Sequence, residues 1–202
     1  MVHKIQQGLL ILASNSPRRR YLLSRAGLHF EVIPSTVDET AMVFEDPASF
    51  TQALSQAKAG EVAAGHPEAW VIGADTIVVI DGSVLGKPKG MDAARAMLRQ
   101  LSGQTHQVYT GYTICCVGLN QHFTDVVCTA VTFKTLSAKE IEWYNHTDEP
   151  FDKAGAYAIQ GLGTFLVQRI NGSYTNVVGL PVCEVIAYLI QAGVVQLRAG
   201  GA

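Results

Sequence analysis

Leu9-Leu10-Ile11-Leu12-Ala13-Ser14-Asn15-Ser16-Pro17-Arg18-Arg19-Arg20 begins as an apolar run of strand length and passes through a short polar turn into a helix start. Pro17 suits the first helical position, where a missing N–H costs nothing. The unpaired backbone N–H groups of a helix start, at the positive end of its dipole, attract anions. Ser14 and Ser16 can cap that start or donate to phosphate oxygens, and arginine offers planar forked donors that match phosphate. A polyphosphate cradle at the first strand-to-helix turn is one reading. A capped helix with solvated arginines is the other, and the stretch alone leaves both open.

Outward from this unit the chain keeps alternating strands and helices. Tyr21 to Ala26 continue the helix to Gly27, a C-cap residue, and His29 to Ile33 alternate like a strand. Val37-Asp38-Glu39-Thr40 forms an acidic loop. Asp46 as N-cap and Pro47 as first residue open a second helix, with Phe50, Ala53, Leu54 and Ala57 on one apolar face. Lys58 flanks that stripe, where its ammonium either reaches water or points into a cleft.

Trp70-Val71-Ile72-Gly73-Ala74-Asp75-Thr76-Ile77-Val78-Val79-Ile80 is apolar on both faces and predicts a central strand. A carboxylate inside such a run must be paired, bind a cation or face a cavity. A structural salt bridge would account for Asp75, but its isolation favours a functional role. Asp81-Gly82 predicts a tight hairpin turn, with Ser83-Val84-Leu85 returning from it. In Gly86-Lys87-Pro88-Lys89 the proline keeps Lys87 extended on a loop, where a lysine is commonly just solvated.

Met91 to Leu101 predicts an amphipathic helix with Ala94, Met97, Leu98 and Leu101 inward. Gln107 to Val117 and His122 to Leu136 predict a long antiparallel pair that leaves the main body as a second lobe. Ser137 and Glu140 form a capping box for a helix from Ala138 to about His146. Asp148 to Gly163 is too polar and glycine-rich for a packed element and predicts a binding loop. Within it Gln160 carries an amide, both donor and acceptor, suited to a base edge. Thr164 to Ile170 predicts a strand, Asn171 to Asn176 a turn, Val182 to Gln191 the last helix and Gly193 to Ala202 a frayed tail.

A chain of 202 residues, 48% hydrophobic and 16% charged, can bury a full core without disulfides. The formal net charge of −2 argues against nucleic-acid or membrane-surface binding, so the arginine run suits a small anion. Cys115, Cys116, Cys128 and Cys183 have no metal spacing and are expected as buried reduced thiols. Met1 to Gly8 hold no signal-peptide core and no apolar run reaches the roughly 20 residues of a membrane span. A cytoplasmic location is therefore expected. The fold class that follows is α/β with a mixed sheet.

Five segments taken together, Ala13-Ser14-Asn15-Ser16-Pro17-Arg18-Arg19, Gly73-Ala74-Asp75-Thr76, Gly86-Lys87-Pro88, Asp152-Lys153-Ala154-Gly155-Ala156-Tyr157 and Gly172-Ser173-Tyr174 through Val178-Gly179-Leu180-Pro181, resemble the Maf family. These are nucleoside triphosphate pyrophosphatases, also described as septum-formation inhibitors. The resemblance runs from about Leu9 to Gln191. Asn15 stands where many relatives have glycine, and Arg20 extends the basic run; neither change removes a matched residue.

The resemblance implies a single Maf/ITPase-like domain, its mixed twisted sheet flanked by helices, with two lobes around a central cleft. It implies cleavage of a nucleoside triphosphate between the α and β phosphates with a divalent cation, Mg²⁺ or Mn²⁺, by a homodimer. Asp75 matches the proton acceptor, and Arg18, Thr76 and Gln160 match positions tied to base choice. Ser14, Arg19, Lys58 and Lys87 match residues that hold the triphosphate or the metal-bound water. Asp75 and Glu39, with Asp38 close by in sequence, are the candidate metal ligands. The form Asp152-Lys153-Ala154-Gly155-Ala156-Tyr157-Ala158-Ile159-Gln160-Gly161 looks like the branch acting on dTTP and UTP. The rival expectations are a nucleotide-binding regulator of cell division and a house-cleaning enzyme for modified nucleotides.

Overall fold

The structure, a computed structural model, describes residues 3–39, 42 and 44–198. In chain order the elements are β1 (His3–Gln6), β2 (Leu10–Leu12), α1 (Pro17–Arg25), β3 (Glu31–Val32), α2 (Pro47–Gly65), β4 (Trp70–Ile80) and β5 (Ser83–Leu85). There follow α3 (Met91–Leu101), β6 (Thr105–Cys116), β7 (Gln121–Phe133), α4 (Ala138–Asn145), three 3-10 turns between Pro150 and Leu166, β8 (Val167–Asn171), α5 (Tyr174–Val178), α6 (Val182–Gln191) and β9 (Val195–Arg198). Among the described residues no helix is long and apolar enough to cross a membrane.

Local chemistry sets most of these boundaries. Asp46 accepts from the N–H groups of Ala48 and Ser49, and Pro47 follows at the first position of α2. Ser137 and Glu140 close the expected capping box on α4. Asp81 and Gly82 both have positive φ, 48° and 73°, the geometry that a two-residue hairpin requires. One sheet carries seven strands in the order β3-β2-β4-β6-β7-β8, with β5 on β4. β2 lies parallel to β3 and β4, whereas β4–β5 and β7–β8 are antiparallel, so the expected mixed α/β sheet is present.

The chain divides into two compact units. The first comprises Met1–Asp75, Gly111–Val126 and Gly179–Ala202. Its core sets Ala59, Val62 and Ala63 of α2 against Ile11, Ala13, Val71 and Cys115. Val71, Gly73 and Asp75 share one face of β4 by the two-residue period of a strand. A Cβ on Gly73 would stand 2.5 Å from the Ser55 carbonyl oxygen, and one on Gly111 would stand 2.3 Å from that of Thr51. Backbone of α2 therefore lies directly on the sheet. Trp70, one residue from Val71 and so on the opposite face, meets Tyr188 of α6 edge-on, and Tyr188 stacks on Phe123.

The second unit comprises Thr76–Thr110 and Val127–Val178. Arg95 of α3 grips Glu142 of α4 through two N–H donors, and Asn145 donates to the Met91 carbonyl. At its centre His106, Phe133 and Tyr157 meet edge to face, and His106 Nε2 is 2.8 Å from the Tyr157 hydroxyl. Burial depresses the His106 pKa from 6.5 to about 4. An unfolded chain then binds more protons than the folded one between those values, so stability falls as the pH drops through that window. The expected loss between about pH 7 and about pH 5 is about 2 kcal/mol. Urea melts of wild type and His106→Gln across this range check it. An identical slope in both proteins would show that His106 is not its source.

Several expectations change. Gly193 to Ala202 is not simply frayed: Val195–Arg198 pair antiparallel with β1, while residues 199–202 lie outside the described residues. Thr40 of the acidic loop also lies outside them. β6 and β7 do not leave the body as a separate pair but are inner strands of the sheet. The strand expected at Thr164 begins at Val167, because a 3-10 turn occupies Gly161–Leu166. Tyr174–Val178, within and beyond the expected turn, forms a helical turn. All four cysteines are free, but Cys128 and Cys183 are exposed.

Candidate active site

Ser14 follows β2, whose hydrogen-bond ladder extends through Ala13 N–H to the Ile72 carbonyl at 2.8 Å. Ser16 has the extended conformation of an N-cap, and its hydroxyl accepts from Arg19 N–H, so Ser16 serves as the cap. Ser14 Oγ accepts from the Ser16 N–H at 3.3 Å and from Arg19 Nη1 at 3.0 Å. Both contacts use its lone pairs, so the Ser14 proton remains to be donated. Arg19, 9% exposed, also donates through Nε to the Gly179 carbonyl at 2.8 Å. Burial pushes its guanidinium below the ordinary arginine value, Asp75 and Glu39 pull it back up, and Arg18 adds to the lowering.

Lys58 is buried in the α2 face that meets β4. Its Nζ lies 2.7 Å from Asp75 Oδ1 and 2.7 Å from Glu39 Oε1. Of its two open fates, pointing into the protein is the one realised. The buried stripe of α2 is Thr51, Leu54, Ser55, Lys58, Ala59, Val62 and Ala63; of the expected Phe50, Ala53, Leu54 and Ala57 it contains Leu54, and Phe50 packs on Phe44 instead. Glu61, one turn beyond Lys58, accepts from Thr36 N–H and from the Ser35 and Thr36 hydroxyls, and these bonds hold its carboxyl below the usual range. That clamp fixes the segment leading to Glu39.

Ser14, Arg18, Arg19, Glu39, Lys58 and Asp75 all belong to the first unit. Among them, the hydrogen bonds and charge interactions above link two guanidinium groups, one ammonium, two carboxylates and a hydroxyl with a proton to give. A tri- or diphosphate suits such a set, because forked N–H donors and an ammonium match its oxygens. Among the described residues no group of three His, Cys, Asp or Glu side chains gathers as a metal cage. Asp75 and Glu39, both at Lys58 Nζ, nonetheless suit Mg²⁺, which takes one or two carboxylates and completes its shell with phosphates and water.

Thr76, Lys87 and Gln160 belong to the second unit. Thr76 Oγ1 is 2.9 Å from Thr110 Oγ1. Lys87 is exposed after β5, next to Gly86, whose carbonyl accepts from Gly155 N–H at 3.1 Å. Gln160 sits on a loop with three anchors: Glu149 accepts from Leu162 and Gly163 N–H, Tyr144 Oη accepts from Ala158 N–H, and Tyr157 meets His106. Sequence reasoning did not find the roles of Gly179, Glu61, Glu149 or Thr110. Gly179 falls inside a quoted motif, which was its only signal.

Residues 9–192 match the family model described as Maf-like protein. The chain belongs to the Maf family. This Maf chain is 51% identical over 184 residues to a protein of Syntrophus aciditrophicus (strain SB), covering 91% of this chain and 90% of that one. It is 49% identical over 187 residues to one of Myxococcus xanthus (strain DK1622), covering 93% and 94%. With a protein of Moorella thermoacetica (strain ATCC 39073 / JCM 9320) it shares 51% over 185 residues, covering 92% and 95%. Each of the three relatives is named dTTP/UTP pyrophosphatase.

Proposed function

We propose that this chain hydrolyses dTTP and UTP to the nucleoside monophosphate and pyrophosphate. One observation carries the chemistry: the buried Lys58 ammonium holds Asp75 and Glu39 together at 2.7 Å each, within the charge field of Arg19. The choice of base rests on the relatives named dTTP/UTP pyrophosphatase, which align over more than 90% of the chain.

In this reading Ser14, Arg18, Arg19, Lys58 and Lys87 bind the triphosphate, with Arg18 also contributing to base choice. Asp75 accepts the proton of the water that attacks the α phosphorus. Phosphoryl chemistry depends on positioning and charge neutralisation more than on covalent help. Arg19 and Lys58 supply that neutralisation from buried positions, where Coulomb terms are least screened. A divalent cation held by Asp75 and Glu39 would supply Lewis acidity to the phosphate oxygens and make water easier to deprotonate. Thr76 and Gln160 read the base. The proposal also takes the protein to be a cytoplasmic homodimer without nucleic-acid or membrane partners.

The test is a panel of dTTP, UTP, dATP, GTP and 7-methyl-GTP, with pyrophosphate and orthophosphate measured separately. Pyrophosphate should appear without orthophosphate, fastest from dTTP and UTP, and chelation with EDTA should stop it. Orthophosphate as first product would overturn the cleavage position. Equal rates across bases would remove the pyrimidine assignment and keep the reaction. Thermal stabilisation by dTTP without any pyrophosphate would instead favour the nucleotide-binding regulator.

A further inference from the structure

We propose that Glu61 is a positioning residue for the divalent cation: by strapping Ser35 and Thr36 to α2, its carboxylate keeps Glu39 in place beside Lys58 and Asp75 to receive the metal. This rests on the reading above, in which Asp75 and Glu39 hold that cation. It adds a residue that touches neither metal nor substrate and acts through the path of the backbone.

The chain leaves the sheet before it reaches Glu39. Ile33 N–H still donates to the Leu12 carbonyl at 3.2 Å, but residues 33–38 belong to no strand or helix. Glu61 supplies the support that the sheet no longer gives. One of its carboxylate oxygens accepts from Thr36 N–H at 2.9 Å and from the Ser35 hydroxyl, and the other accepts from the Thr36 hydroxyl. Ser35 Oγ in turn accepts from Val37 N–H at 3.1 Å, which closes the turn on itself. An ionised carboxylate only accepts, so Glu61 can take all three donors at once. Three residues earlier, and so on the same side of α2, Lys58 Nζ meets Glu39 at 2.7 Å. The segment from Ser35 to Glu39 is thus fastened to one helix at two points a turn apart.

The two candidate ligands differ in what holds them. Asp75 is buried and carried by the long strand β4. The Glu39 side chain is 58% exposed, and an ion pair so open to water is too weak to order the residues that lead to it. Charge attraction from Lys58 and Arg19 draws Glu39 inward without setting the course of the backbone. Glu39 is therefore the ligand whose position the Glu61 strap decides. When a binding arrangement is populated only part of the time, the apparent Kd rises in inverse proportion to that fraction.

The experiment titrates Mn²⁺ into the nucleotide-free protein, with unbound Mn²⁺ read by electron paramagnetic resonance. Residue 61 is exposed, and in Glu61→Ala the Kd for Mn²⁺ should rise about tenfold, as when Glu39 is in place about a tenth of the time. Saturating Mn²⁺ should return the kcat of this variant for dTTP to near the wild-type value, which a protein damaged elsewhere would not show. The double variant Glu39→Gln/Glu61→Ala should bind Mn²⁺ no more weakly than Glu39→Gln, because both changes remove the same ligand. A folded Glu61→Ala protein with the wild-type Kd, a kcat that stays low at saturating Mn²⁺, or additive losses in the double variant each overturn the inference. Should Glu61→Ala not fold, Ser35→Ala/Thr36→Val decides: it removes both hydroxyl donors of the strap, so the Kd should rise, and an unchanged Kd overturns the inference. Glu39→Gln that binds Mn²⁺ like wild type removes Glu39 from the metal site, and this inference with it. Wild type that releases no pyrophosphate from dTTP overturns the pyrophosphatase reading alone, and the Mn²⁺ affinities still decide the role of Glu61.

Discussion

Replacing Asp75 by Asn is expected to leave a folded protein whose release of pyrophosphate from dTTP falls about a thousandfold. The substitution is isosteric, and the amide oxygen of Asn can still accept from Lys58 Nζ, now 2.7 Å from Oδ1. Lys58 also keeps Glu39, at 2.7 Å, as a charged partner. Breaking a buried pair outright leaves an uncompensated charge, but here the second carboxylate shares it. On the proposed mechanism, what disappears is the group that would take the proton from the attacking water and one of the two carboxylates that would hold the cation. A general base contributes roughly a hundred- to ten-thousandfold, and loss of a preorganised electrostatic contact a further part. Single-turnover pyrophosphate release, read beside a thermal melt, separates chemistry from folding. A kcat close to wild type would remove Asp75 from the mechanism.

The sequence was legible wherever the chemistry is local. Asp46-Pro47, Ser137 with Glu140, and Asp81-Gly82 are caps and turns whose partners lie within three residues, and all three formed as read. The first strand-to-helix turn was legible in the same way, although it left a cradle and a solvated helix start undecided. In the structure Arg19 is not solvated: it is buried and bonded to Ser14 and to the Gly179 carbonyl, whereas Arg20 is exposed. The Gly179 bond spans 160 residues, and nothing in a local pattern announces it.

The α2 stripe failed for a related reason. Apolar periodicity selects Phe50, Ala53, Leu54 and Ala57, yet the face turned inward carries Thr51, Ser55 and Lys58. Ser55 meets the Thr113 hydroxyl at 2.8 Å and Lys58 meets Asp75, so the sheet beneath supplies polar partners. A helix face that buries satisfied polar groups looks, in sequence, like a solvated one. The 3-10 turns around Gln160 were legible as a loop, but its anchors were not: His106 and Tyr144 lie outside the segment they secure, and Glu149, at its start, bonds Leu162 and Gly163 at its far end, beyond any local pattern.

The close seat of α2 leads to the second large effect, that of Gly73→Ala. The added methyl would lie 2.5 Å from the Ser55 carbonyl oxygen, 2.7 Å from Ala59 N and 2.9 Å from Ala59 Cβ. Two of these are backbone atoms of the helix, so no side chain can swing aside, and the helix itself must lift from β4. Overpacking of this kind costs about 3 kcal/mol. For a chain of this length that corresponds to a melting point lower by about 10 °C. Lys58 precedes Ala59 directly, so the same displacement draws its ammonium off Asp75, and activity should fall together with stability. Gly60→Ala is the control on the same helix. A Cβ there meets nothing within 4 Å, and alanine is the better helix former by roughly 1 kcal/mol, so that variant should melt slightly higher and keep its activity. Equal melting points for Gly73→Ala and wild type would show that α2 does not press on the strand at this residue. The position of Lys58 against Asp75 would then need another cause.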